Sequence, residues 1–297
     1  MKSDNVKINL QYFLPKYLIT IVVGYLASLK MGKITTLAIR QFARFYKINT
    51  AEMQGKIEDY KTFNDFFARP LKKNARKIST EESTLVFPAD GKISQFGNLQ
   101  HNFMLQAKGH YFTTEALLAN DKDAKIFADG SFITVYLSPS DYHRVHIPFG
   151  GKLLKMTYIP GELFSVNPLY TANIPELFSR NERVVCIFET KLGKMAIVLV
   201  GAAIVRSVST VWEGVVAPNK SAKITTYDYA KKNILFDKGN EIGKFLMGST
   251  VICLFEKDKI TFDKTIKCEN HVDMGQEMAK INNIHTKIAK KSNKTKE

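Results

Sequence analysis

SFITVYL, residues 131–137, gathers β-branched and aromatic side chains into one short run, the composition of a strand. Four more runs share that texture: Arg183–Glu189 (RVVCIFE), Met195–Val200 (MAIVLV), Ala202–Val208 and Thr250–Phe255 (TVICLF). Gly, Pro and Asn separate them, and no long amphipathic helices alternate with them, which disfavours a doubly wound parallel sheet. Upstream, residues 51–82 read as helix and turn, with Thr62 placed to cap a short helix carrying Phe63, Phe66 and Phe67 and ended by Pro70. The expected fold is therefore α+β, with N-terminal helices followed by a mainly antiparallel β domain.

A chain of 297 residues, 45% hydrophobic and 24% charged, has ample length for a core and excludes wholesale disorder. Three cysteines, Cys186, Cys253 and Cys268, with no CxxC pair, argue against a disulfide scaffold and for a reducing compartment. The net charge of +15 sits mostly at the ends: residues 1–50 carry +7 and residues 287–297 carry +4. A nucleic-acid binder would carry that charge on its folded face, so this class is set aside.

The uncharged stretch Tyr17–Leu29 is shorter than the roughly 20 apolar residues a spanning helix needs. Pro15 before it, and no small-residue cleavage site after it, argue against a signal peptide. Leu18, Ile21, Val22, Tyr25, Leu26 and Leu29 recur at helical spacing, with Thr20, Gly24, Ala27 and Ser28 opposite. Next, Ile34, Leu37, Ala38, Phe42 and Phe45 form one face, flanked by a stripe of Lys33, Arg40, Arg44 and Lys47. An apolar face beside a basic stripe suits a helix lying in a membrane interface. A surface helix covering the core fits the pattern equally, and the uncharged run tips the reading toward the membrane. The expected division is a membrane-associating helical region 1–60, a β-rich domain 61–286 and a solvated, Lys-rich tail 287–297.

Reactive side chains concentrate in three loop-like segments. Phe87-Pro88-Ala89-Asp90-Gly91 brackets an aspartate with Pro and Gly, which simple turn chemistry also explains. LSPSDYHRVHIP, residues 137–148, sets His143 and His146 three apart just past a strand. With Asp90 or Asp141 they are candidates for a hydrolytic zinc site, for acid–base work, or for plain loop polarity; no HExxH motif supplies a third ligand. GKFLMGSTV, residues 243–251, puts Gly248-Ser249 at the entry to the last strong β run. Without a Cβ, Gly248 reaches backbone geometry closed to other residues and leaves its carbonyl open to attack. Ser249 reads as an ordinary nucleophile lacking the GxSxG elbow, or as one aimed at the peptide bond before it. Spacing alone does not choose.

Taken in order, TFNDFFARPLK (62–72), FPADG (87–91), KGHY (108–111), LSPSDYHRVHIP (137–148), WEG (212–214) and EIGKFLMGSTV (241–251) resemble the phosphatidylserine decarboxylases, a family of self-processing, pyruvoyl-dependent membrane enzymes. Met247 stands where the family usually has leucine, a swap of similar volume that processing is expected to tolerate. By this resemblance His146, oriented by Asp90, takes the proton of the Ser249 hydroxyl, whose oxygen attacks the Gly248 carbonyl. An N-to-O acyl shift and elimination then leave a large chain 1–248 and a small chain 249–297. The small chain begins with a pyruvoyl group made from Ser249, and the two chains are expected to stay associated.

The same resemblance makes that covalent pyruvoyl group the cofactor, with no metal and no pyridoxal phosphate. It implies an imine with the amine of phosphatidylserine, loss of CO2, proton return for which His143 is the suggested acid, and release of phosphatidylethanolamine. The implied partners are phosphatidylserine and an anionic membrane surface, with a homodimer left open and no nucleic acid. The implied location is peripheral, on the cytoplasmic face of a bacterial inner membrane. Lys72, Lys73, Arg76 and Lys77 either extend the basic underside or form a solvated turn. Two other readings stand beside this one: a zinc-dependent hydrolase using Asp90, His143 and His146, and a non-catalytic peripheral membrane-binding protein.

Overall fold

The computed structural model describes residues 8–9, 11–202, 208–217, 223–246 and 249–282. Met247, Gly248, the middle of the 202–208 run and the Lys-rich tail lie outside the described residues. SFITVYL forms the strand Ser131–Leu137 near the middle of a nine-stranded sheet. The order across it is Thr225–Asp228, Gly151–Ile159, Arg183–Thr190, Gly193–Val200, Ser249–Phe255, Ser131–Leu137, Gly91–Asn98 and His271–Val272. Leu235–Phe236 also pairs with Gly151–Ile159, and every pairing is antiparallel.

These strands are continuously apolar because both faces of the sheet are covered. Ile133, Val135, Val251, Cys253, Ile197 and Leu199 point into one core. Their alternating neighbours Phe132, Ile252, Leu254, Ala196 and Val198 point into another. A four-stranded antiparallel sheet, ordered Gly214–Ala217, Val208–Thr210, Glu241–Phe245 and Arg144–His146, lies beside it and shares the first core.

The N-terminal part is helical as expected. Thr62 Oγ1 accepts the Asp65 N–H at 3.0 Å and Asp65 returns a bond to the Thr62 N–H, capping the helix Phe63–Phe67. Ile39, Ala43, Ile48, Met53 and Phe66 make a small separate core, joined by Phe42 and Phe63. The two longer helices turn unusual faces outward. Lys16–Ser28 buries Thr20 and Ala27 and exposes Leu18, Ile21, Val22, Tyr25 and Leu26. Lys33–Phe45 buries Thr35, Ile39 and Ala43 and leaves Ile34, Leu37 and Phe45 exposed. The apolar face read from the sequence is thus not the face that meets the core, apart from Phe42. Among the described residues no single helix is long and apolar enough to cross a membrane, and these two are bent 116° to each other.

Gly91, where the chain leaves Asp90 to enter the sheet, has φ +151°, and a Cβ there would lie 2.3 Å from the Tyr136 carbonyl oxygen. Gly97 has a similar φ of +152° with nothing near its Cβ position. Gly91→Ala is therefore expected to cost well over about 1 kcal/mol, and clearly more than Gly97→Ala. Paired thermal melts check this, and equal shifts would show that the approach to Tyr136 does not limit position 91.

Candidate active site

Two antiparallel pairings bring the three candidate segments together. Ser249, the first residue of Ser249–Phe255, pairs with Leu137. Seven residues beyond Leu137, Arg144 opens the strand Arg144–His146, which pairs with Glu241–Phe245, the strand just before the candidate cleavage point. The Phe245 N–H donates to the His143 carbonyl at 2.9 Å. The loop carrying Tyr142 and His143 therefore bridges the partners of the residues on either side of positions 247 and 248. The chain at that point passes from the small sheet into the large one. Asp90 joins through the backbone, since the His146 N–H donates to the Pro88 carbonyl at 2.7 Å.

All four candidate side chains are buried. The Ser249 hydroxyl has no hydrogen-bond partner among the described residues, nor has His143 Nε2. His143 Nδ1 donates to the Asp141 carbonyl at 2.9 Å, and its ring packs on Phe67 at 4.2 Å between centroids. His146 Nδ1 lies 2.8 Å from the Gly239 carbonyl oxygen. A carbonyl only accepts, so Nδ1 carries the proton and Nε2 keeps the lone pair. The Tyr142 hydroxyl donates to that lone pair at 3.2 Å.

Asp90 is held elsewhere. Its Oδ1 accepts from Arg76 Nε at 3.0 Å and from the Met274 N–H at 2.8 Å. Its Oδ2 accepts from Arg76 Nε and Nη2 at 3.0 and 2.5 Å. The carboxylate that the sequence reading gives to His146 is thus bonded to an arginine, and a backbone carbonyl orients the imidazole. Asp90 still acts on His146 through space, its charge favouring the protonated ring.

Arg76, which the sequence left between a basic surface and a solvated turn, is turned inward to Asp90. Arg69 is another cation missed from sequence. It is 3% exposed, and its Nη2 donates to the carbonyls of Ser140 and Asp141 at 2.9 and 3.2 Å. Arg144 Nε reaches the Ala68 carbonyl at 3.0 Å, and Nη1 pairs with Glu241 at 2.8 Å. Phe67, Ala68 and Arg69 therefore buttress the histidine loop, which gives the FFARP motif its use. Glu213 of WEG accepts from the Tyr229 hydroxyl at 2.7 Å, and Trp212 packs among Phe188, Tyr229 and Phe236. The Lys108-Gly109 of KGHY forms the turn between Phe103–Ala107 and His110–Thr113, and its His110 and Tyr111 open the second of these strands. Lys108 lines a cavity of about 200 Å³ with Lys92, Tyr136, Thr171 and Glu269. Tyr136 pairs with Thr250, one residue from Ser249.

The zinc reading finds no ligand set. Asp90 is bound to Arg76, and the described residues hold no group of three His, Cys, Asp or Glu suited to a metal.

Comparison with known proteins decides the family. The family model described as phosphatidylserine decarboxylase matches residues 63–280, and one described as PSD matches residues 6–47. The phosphatidylserine decarboxylase proenzyme of Shewanella woodyi is 51% identical over 284 residues, covering 94% of this chain and 99% of the relative. The proenzyme of Actinobacillus pleuropneumoniae serotype 3 is 49% identical over 283 residues, covering 94% and 96%. The chain belongs to the phosphatidylserine decarboxylase family. Family membership now covers the whole β domain and the helical region that precedes it.

For a phosphatidylserine decarboxylase with two buried histidines, acid stability has a defined sign. Burial, reinforced by the Arg69 charge, pushes His143 down to about 3 from 6.5, and burial lowers His146 as well. Between those values the unfolded chain holds a proton that the folded one refuses. Stability is complete above about pH 6.5 and is lost progressively as pH falls toward 3. Urea midpoints at pH 7 and pH 5 should differ in that direction, and His143→Gln should shrink the difference.

Proposed function

We infer that this chain cuts itself before Ser249 and then converts phosphatidylserine to phosphatidylethanolamine and CO2. The observation that carries this is Ser249: a buried hydroxyl with no hydrogen-bond partner among the described residues, at the head of a central strand, beside a loop with two neutral histidines. Such a hydroxyl is desolvated and uncommitted among the described residues, and the carbonyl it would attack belongs to the residue before it. His146, with its proton on Nδ1, keeps Nε2 as the base that takes the Ser249 proton. Tyr142 must first release that lone pair. Asp90 stabilises the imidazolium by charge.

The pyruvoyl group that the family reading calls for would be made from residue 249 itself, and the site fits it: the position is buried among apolar strands, with no charged side chain bonded to it. When present, that group supplies the electron sink that ordinary side chains lack. The chain's own residues do the rest. His143, kept neutral by burial and by Arg69, takes up a proton only as negative charge gathers beside it, and delivers it from Nε2 to the substrate carbon.

The outward apolar faces support a resting place on lipid. Phe13, Leu18, Tyr25, Ile34, Leu37 and Phe45 are exposed, with Lys33 and Arg44 exposed on the second helix and Arg40 paired with Glu58. An enzyme reaching only the headgroup avoids extracting acyl chains, at about 0.8 kcal/mol per CH2. We assign residues 1–60 to docking, 61–286 to catalysis, and the surface to the anionic cytoplasmic leaflet of a bacterial inner membrane.

Intact-mass analysis should give two fragments, 1–248 and 249–297, the smaller with a blocked start; one species at the full 33.6 kDa would count against the proposal. Ser249→Ala should stay whole and inactive, whereas His143→Ala should be cut yet turn over at least ~100-fold more slowly. Replacing Lys33 and Arg44 by Gln should weaken sedimentation with anionic vesicles by about 1 kcal/mol per residue and leave binding to neutral vesicles much less affected. Equal loss on both vesicle types would argue against the charge-assisted part of the docking.

A further inference from the structure

We propose that Arg76 is a positioning residue for self-cleavage: its guanidinium keeps Asp90 ionised inside the protein, and thereby sets the lowest pH at which the proenzyme can process itself. The inference rests on the Asp90–His146–Ser249 assignment above. Its own observation is the bonding of Asp90.

A carboxylate that is 2% exposed is costly to ionise unless cations and donors replace its water. Asp90 has two sources of such help: Arg76, through Nε to both oxygens and Nη2 to one, and the Met274 N–H. Burial holds Asp90 above the usual carboxylate range, and Arg76 and the Met274 amide pull it only part of the way back. Arg76 is fixed in turn by Glu52 at 3.0 Å through Nη1 and by Asp273 at 3.7 Å from Nε. Its Nη1 also donates to the Ala75 carbonyl at 2.9 Å. Among the described residues, Arg69, Tyr142, Arg144 and Glu241 also bear electrostatically on Asp90 or on its partner His146.

Asp90 has no hydrogen bond to His146, whose orientation comes from Gly239. Its contribution to the base is therefore its charge, and that charge depends on Arg76. Without the guanidinium, buried Asp90 would keep only the Met274 N–H, would face the like charge of Asp273, and would hold its proton to higher pH. The imidazolium formed when His146 takes the Ser249 proton would then lack its counter-charge at neutral pH. Asp273 works in the opposite direction, since its charge discourages ionisation of Asp90, and removing it should favour the ionised form.

The test is pulse-labelled cell-free synthesis of the full chain, shifted into buffers from pH 5.5 to 9 and followed by gel for conversion to two fragments. Arg76→Gln should move the acidic limb of the cleavage rate upward by at least about one pH unit, about tenfold in rate on that limb, and approach wild type at high pH. Arg76→Lys, which restores one charge, should fall between them. Asp273→Asn, at an exposed position, should move the limb downward. A uniformly slower Arg76→Gln with an unshifted limb would overturn the proposal. If that variant does not fold, an unshifted limb in Asp273→Asn overturns it instead. Asp90→Asn that cleaves normally would refute the underlying triad assignment, a result distinct from either.

Discussion

The strand Ser249–Phe255 is the constraint on which the molecule turns. It is paired on both sides, with Ser131–Leu137 and Gly193–Val200, and all seven of its residues are buried. Its side chains fill both cores, Val251 and Cys253 on one face and Ile252 and Leu254 on the other. Each such large apolar side chain contributes about 1.5–3 kcal/mol of burial. A chain cut before Ser249 keeps every one of these contacts, so the small chain remains the centre of the large one. The same pairing suits the proposed cleavage point. The backbone leaves the small sheet at Phe245 and enters the large one at Ser249, so the break falls between two ladders and severs neither.

Around that junction the protein buries more charge and polarity than a core ordinarily holds. Asp90, Arg69, His143 and His146 are all buried, and each is met by a specific partner. Asp141 and Ser140 offer carbonyls to Arg69, Asp141 also serves His143, Gly239 serves His146, and Arg76 serves Asp90. The Ser249 hydroxyl and His143 Nε2 stand outside this pairing among the described residues. In a low-dielectric interior uncommitted polar atoms are expensive; near the junction they include Thr250 Oγ1 and two nitrogens of Arg69 as well as the proposed nucleophile and acid. Desolvation also keeps both histidines neutral, the state in which one can accept a proton from a serine.

Much of the fold was legible because it rests on local rules. SFITVYL is a strand over the range its composition suggested, and Arg183–Thr190, Gly193–Val200 and Ser249–Phe255 extend their runs by only a residue or two. Thr62 caps where a threonine three residues before an aspartate should. The helix faces were legible as amphipathic but not as to which side meets protein. Periodicity gives a stripe; it does not say whether that stripe meets a core or a bilayer. In Lys16–Ser28 the small residues Thr20 and Ala27 face inward and the large apolar ones outward, the reverse of a helix packed in water.

The sequence by itself determined the family and the strand set and singled out Ser249, His143, His146 and Asp90 as candidates, because those depend on residue type and order. Only the tertiary structure decided how they are connected. Arg76 lies fourteen residues from Asp90 and Gly239 ninety-three from His146, separations that carry no local signal. A lysine-rich turn, KKNARK, gave no hint that its arginine points inward while its neighbour Lys73 stays exposed. Burial sorted them, since an inward charge persists only where a counter-charge and fixed donors replace water. That pairing exists only once the strand beginning at Gly91 and the segment around Met274 have been brought together.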